Sequence, residues 1–133
     1  MKPMLAAKIG FDELDKLAFP LFVSPKLDGI RAIQKDGRLM SRALKDFPNL
    51  FTMARFSSPK LTCMDGELIM GSPTAEDVFC KTTRAVMTIN GEPDVKFYVF
   101  DNFRDVKLPF SQRFDIVKDF AKNQPNVEIV EQQ

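Results

Sequence analysis

Lys26-Leu27-Asp28-Gly29-Ile30-Arg31 gathers an amine, a carboxylate, a turn-forming glycine and a guanidinium in one short stretch. A lysine amine attacks phosphorus only when it is neutral. With a free pKa near 10.4, the neutral form is about 1 part in 2,500 at neutral pH, and reaching it costs roughly 4 to 5 kcal/mol. A nearby cation, metal or arginine, lowers that cost. Arg31 carries the planar fork that clamps a phosphate or a nucleotide hydroxyl. A lone lysine beside a hairpin is ordinarily a surface residue. The four fixed positions of K-x-D-G-x-R change this, because chance places them together in roughly one chain per thousand of this length.

Further along comes Asp65-Gly66-Glu67-Leu68. Glu67 can accept hydrogen bonds from a ribose hydroxyl, as carboxylates do in other nucleotide sites. Its ordinary alternative is a solvated carboxylate in a turn. In Phe97-Tyr98-Val99-Phe100-Asp101, period-two alternation puts Tyr98 and Phe100 on one face and Phe97 and Val99 on the other. Only one face can meet a base, and the ordinary alternative for Phe100 is a core phenylalanine on a central strand.

These residues need elements to hold them. Phe11 to Leu17 reads as a short helix and Leu21 to Val23 as a brief strand, with Pro25 breaking it and Lys26 to Gly29 turning. Ile30 to Lys35 and Arg38 to Ser41 are strands joined by Asp36-Gly37, a two-residue hairpin turn. Phe47 to Phe56 favours a helix with Pro48 in its first turn. Thr62 to Met70 reads as a strand interrupted at Asp65-Gly66. Ser72-Pro73-Thr74 opens a helix to about Arg84, with Thr74 and Asp77 resembling a capping box. Asn90-Gly91 is a turn. Val95 to Phe103 is a strand rich in aromatic and β-branched residues. Pro109 to Asn123 is a helix whose apolar stripe is Phe110, Phe114, Val117 and Ala121. Val127 to Val130 is a last strand. The mixture implies an α+β fold with mainly antiparallel sheet flanked by helices.

Composition bounds the chemistry. The 133 residues suit one domain, with 44% apolar and 28% charged residues. Formal net charge is +1, so any nucleic-acid contact needs a local basic face. There is no histidine, which excludes Ser-His and Cys-His nucleophile pairs and His-ligated zinc. Cys63 and Cys80 read as reduced, buried thiols. Nothing resembles a membrane span or a secretory signal. The expected setting is cytoplasmic, or a nuclear or viral replication site, and not secreted.

In order, K-x-D-G-x-R at Lys26–Arg31, Ser41-Arg42, D-G-E-L at Asp65–Leu68, Arg84 to Thr88 and Phe97–Asp101 resemble the small viral ATP-dependent DNA ligases over essentially the whole chain. The resemblance implies an ATP-grasp-like nucleotidyltransferase domain that seals nicks in duplex DNA with ATP and Mg²⁺. It implies that Lys26 forms lysyl-AMP, that Arg31 and Glu67 bind the nucleotide, that Phe100 stacks on the purine, and that Arg42 holds the 5′-phosphate of the nick. It leaves the metal-binding residues of this chain unassigned. The family's later E-G and K-x-K motifs occur nowhere in the sequence. Residues 1–133 are therefore expected to be the first half to two-thirds of the adenylation domain. The rest of that domain and the OB-fold domain would lie outside them, with a missing C-terminal polypeptide as a partner. Little activity is expected from this chain alone, and an exposed apolar edge is expected to favour self-association. Two other readings stay open: a messenger-RNA capping guanylyltransferase using GTP, and a non-catalytic fragment that binds nucleotide or DNA.

Overall fold

The computed structural model describes residues 2–133. A hairpin comes first in the sheet. Strand β1 (Ile30–Lys35) pairs antiparallel with β2 (Arg38–Ser41), from Ala32 opposite Ser41 to Lys35 opposite Arg38. Asp36 and Gly37 turn the chain at φ of 52° and 78°, the left-handed conformation that such a two-residue turn requires. Strand β3 (Met64–Met70) takes the centre, followed by β4 (Val95–Asn102) and β5 (Val127–Ile129), in the order β2-β1-β3-β4-β5. All neighbours are antiparallel except β4 and β5. The interruption expected at Asp65-Gly66 is a register shift against β4, within a strand that otherwise continues.

The sheet has two unlike faces. Ala32, Leu68, Phe97 and Val99 are fully buried with Phe56, Val86 and Val117 from the helices. Phe56 meets Phe97 edge to face at 5.8 Å. The opposite side of the same strands carries Arg31, Glu67, Tyr98 and Phe100, all partly buried. The alternation read from Phe97 to Phe100 thus sorts core from site.

Three helices cover the core face: α1 (Leu50–Phe56), α2 (Val78–Met87) and α3 (Phe110–Ala121). Helix α1 starts later than expected, because Asn49 is its cap and accepts from the Thr52 N–H at 2.8 Å. Pro48 therefore precedes the helix. The Asn49 amide also donates to the Thr88 carbonyl at 2.8 Å, tying α1 to the end of α2. Helix α2 begins at Val78 without the Thr74–Asp77 capping box. The Ser72 hydroxyl instead accepts from the Thr74 N–H at 3.3 Å, and the Ser72 carbonyl from the Ala75 N–H at 3.2 Å, holding a separate turn. Helix α3 buries Phe114, Val117 and Ala121, as the stripe requires.

Residues Phe11–Lys16 form a 3₁₀ helix with nothing buried. Leu21 to Val23 is no sheet strand. Its one backbone partner is remote: Val23 and Gln133 exchange hydrogen bonds of 2.8 and 2.9 Å. Both cysteines are free, yet neither is buried. Cys80 is exposed on α2, and Cys63 is half-buried at φ 67° at the entry to β3. Most of the exposed large apolar residues lie between Met4 and Val23. Among the described residues, no helix is long and apolar enough to cross a membrane.

Candidate nucleotide-binding cleft

Lys26 lies exposed in the turn that feeds β1. Gly29 sets the height of that turn. A Cβ there would fall 2.3 Å from the Leu68 carbonyl oxygen and 2.5 Å from the Ile69 side chain, so only glycine lets the turn lie against β3. Gly66 does the same one strand over, where a Cβ would sit 2.2 Å from the Tyr98 carbonyl oxygen. The glycines of both motifs are thus sites of close backbone approach.

The register then assembles the side chains. Arg31 lies opposite Glu67, and Glu67 opposite Tyr98, across three neighbouring strands. Arg31 donates from Nε and Nη2 to the two oxygens of Asp65 at 2.6 and 2.7 Å. Its guanidinium also lies 4.9 Å from the centre of the Phe100 ring, a cation–π contact. The hydrogen bond to Asp65 raises the Arg31 pKa. Burial pushes the Asp65 carboxyl above its ordinary value, against the pull of Arg31. Asp101, the cross-strand neighbour of Asp65, is held by Arg113 at 2.9 and 3.2 Å.

Glu67 makes no such ion pair. Burial raises its pKa to about 7, while the charges of Arg31 and Lys26 and a hydrogen bond from the Gly29 backbone oppose the rise. Its carboxyl is therefore poised to change charge near neutral pH.

Lys26, Arg31, Glu67 and Phe100 all line one cleft of about 330 Å³, with Met4 and Val130 among its other walls. An adjoining cleft of about 570 Å³ shares Lys26, Arg31 and Glu67 and extends to Ser41 and Arg42. Four of the five residues singled out from sequence thus line the first cleft, and Arg42 lines the second with three of them. Arg31 differs in one respect from a free clamp, since two of its three nitrogens already serve Asp65. Sequence reasoning passed over Asp65 as a site residue, although it stands in the same D-G-E-L motif as Glu67. It also passed over Met4 and Val130, for which no local signal exists.

The carboxylates do not suffice for a cation cage. Asp65 is paired with Arg31, and no cluster of three or more acidic or cysteine groups occurs among the described residues. A magnesium ion here would depend on the phosphates of a nucleotide for most of its ligands.

No protein-family model and no curated protein matches the chain. Solved structures do. The DNA ligase-adenylate of Chlorella virus superposes with a TM-score of 0.77 at 28% identity, covering 98% of this chain and 48% of that one. A second structure of the Chlorella virus ligase-adenylate gives 0.79 at 27% identity, covering 99% and 49%. A Lig E DNA ligase gives 0.67 at 27% identity, covering 84% of this chain and 44% of that one. The fold is that of a nucleotidyltransferase adenylation domain. Along most of its length the chain resembles the adenylation domain of ATP-dependent DNA ligases, and it spans about half the length of the Chlorella virus structures.

Proposed function

We propose that these residues form the first part of a DNA ligase adenylation domain, with Lys26 as the residue that takes AMP from ATP. The observation that carries this reading is the single cleft lined by Lys26, Arg31, Glu67 and Phe100. The Lys26 amine attacks the α-phosphorus. An N–P bond forms, the bond to pyrophosphate breaks, and the amine proton leaves to solvent. Phe100 offers its ring to the purine, and the ionised Glu67 accepts from the ribose. Arg31, steadied by Asp65, presents positive charge beside them. The chemistry that a divalent metal would supply, when bound with ATP, is neutralisation of phosphate charge.

AMP then passes to the 5′-phosphate of a DNA nick held by Arg42 in the adjoining cleft, and the 3′-hydroxyl displaces it. The partners are accordingly ATP and nicked duplex DNA. The sequence lacks E-G and K-x-K, so the charge-stabilising groups they supply in the family must come from a further segment or a second polypeptide. Such groups contribute on the order of several kcal/mol each in a transition state. The isolated chain therefore binds ATP while forming only traces of adduct.

Mass spectrometry tests this. The chain is incubated with Mg²⁺ and ATP or GTP, with and without a polypeptide spanning the remainder of a ligase adenylation domain. The expected result is AMP on Lys26 with ATP and the added polypeptide, traces without it, and nothing in Lys26→Ala. Preferential labelling by GTP would favour a guanylyltransferase. Labelling at another residue would refute the assignment of Lys26.

A further inference from the structure

The N-terminal residues take no part in the chemistry above, yet they border three cavities. Met4, Leu5 and Ala6 line the Lys26 cleft. Leu5 and Ala6 also line the cleft that extends to Arg42. Lys2, Pro3 and Met4 line a third cavity of about 280 Å³ beside Asp65, Asp101 and Arg113. One extended stretch therefore runs across the face and partitions three cavities.

That stretch is poorly fastened. Among the described residues, 2–9 make no hydrogen bond and no ion pair, and the first anchoring contact is the Gly10 N–H on the Glu13 carboxylate at 3.1 Å. Met4 is 81% and Leu5 62% exposed, although both border the cleft. Two large apolar side chains stand wet at the mouth of a cavity whose polar residues are Ser24, Lys26, Arg31 and Glu67. Those polar residues suit ribose and phosphates. Covering Met4 and Leu5 needs a flat apolar ligand surface, which a purine supplies.

We propose that Pro3–Ala6 is a strap that closes the base end of the cleft, with Met4 and Leu5 packing on the purine held by Phe100. This rests on the nucleotide reading given above. It makes the strap a binding element for the base alone. Its loss should therefore weaken ATP and adenosine by the same factor, whereas loss of a phosphate contact would weaken only ATP.

Hydrogen exchange on the full chain, with and without saturating ATP, tests the strap directly. Without nucleotide the amides of 4–9 should exchange at nearly unprotected rates, since they have no partners. With ATP they should slow together with those of Ile30, Arg31 and Glu67. Slowing at Ile30 to Glu67 with none at 4–9 would overturn the strap and leave the nucleotide cleft standing. Slowing at neither would overturn both. The companion variant Met4→Gly/Leu5→Gly alters residues outside the buried core, so its fold should survive. Its Kd for ATP and for adenosine should each rise about tenfold. Unchanged affinities, or a rise confined to ATP, would contradict a base-packing role.

Discussion

Two regions border the same cleft and are held in opposite ways. Around Arg31 and Glu67 the backbone is fixed by sheet pairing on both sides, Gly66 lets β3 press against β4, and two bidentate ion pairs hold Arg31 to Asp65 and Arg113 to Asp101. From Met4 to Val23 the chain exposes nine large apolar residues, Phe11 at 94% among them. Its fastening is a 3₁₀ turn, the Val23–Gln133 exchange and an edge-to-face contact of Phe22 with Phe110 at 5.3 Å. On the proposed reading, the polar groups that would meet a nucleotide are thus placed before it arrives. The apolar surface is left for whatever covers it, which makes self-association a natural behaviour of the uncovered chain.

Substitutions in the two regions should therefore differ sharply in cost. The largest effect is expected at Gly66→Ala, whose Cβ must displace β4 backbone; overpacking of this kind costs about 3 kcal/mol, read as a lower urea midpoint. A midpoint within error of the parent would mean that the β3–β4 approach is loose. Asp65→Ala comes next. It strands a guanidinium that is mostly covered, at about 2 kcal/mol, less than a fully buried pair would lose because Arg31 keeps 21% of its side-chain surface in water. A double-mutant cycle with Arg31→Ala separates the pair from the packing.

Glu67 adds a pH dependence. Its folded pKa of about 7 exceeds the ordinary glutamate value, so between roughly pH 4.5 and 7 the folded state holds a proton that the unfolded state has lost. Stability should fall as pH rises through that window, by on the order of 2 kcal/mol, and level off above it. Glu67→Gln should flatten this part of the profile. Nucleotide affinity has the opposite sign, since the ionised carboxylate is the better acceptor for ribose. Binding should strengthen from pH 6 to 8 in the parent and not in the variant. The smallest effect belongs to the N-terminal segment. Phe11→Ser should change stability by less than about 0.5 kcal/mol while raising solubility, measured by urea titration and light scattering. A loss above about 2 kcal/mol there would erase the contrast between the regions.

Much of the scaffold was legible because its signals are local. Asp36-Gly37 forces a hairpin, Phe114, Val117 and Ala121 share a helix face, and alternation sorts Phe97 and Val99 from Tyr98 and Phe100. What was not legible depends on partners far along the chain. The anchoring of Arg31 follows from the register of β1 on β3, which brings Asp65 from 34 residues away. Val23 looked like a strand, and its partner turns out to be Gln133. The start of α2 was misplaced by competition between two local options, a capping box at Thr74 and the turn closed by Ser72, whose hydrogen bonds win. Met4 and Leu5 were silent, because nothing in a short apolar stretch says which cavity it will border.

On the proposed reading, a nucleotide sits on the face carrying Lys26, Arg31, Glu67 and Phe100. Titrating ATP into isotope-labelled chain, while following backbone amide shifts, addresses it without requiring turnover. The expected shifts cluster at Lys26 to Arg31, Glu67 and Phe100, saturate together, and disappear in a Lys26→Ala/Glu67→Gln variant that keeps the parent spectrum elsewhere. Saturable shifts confined to the helical face, or no shifts at millimolar ATP in a folded sample, would contradict it.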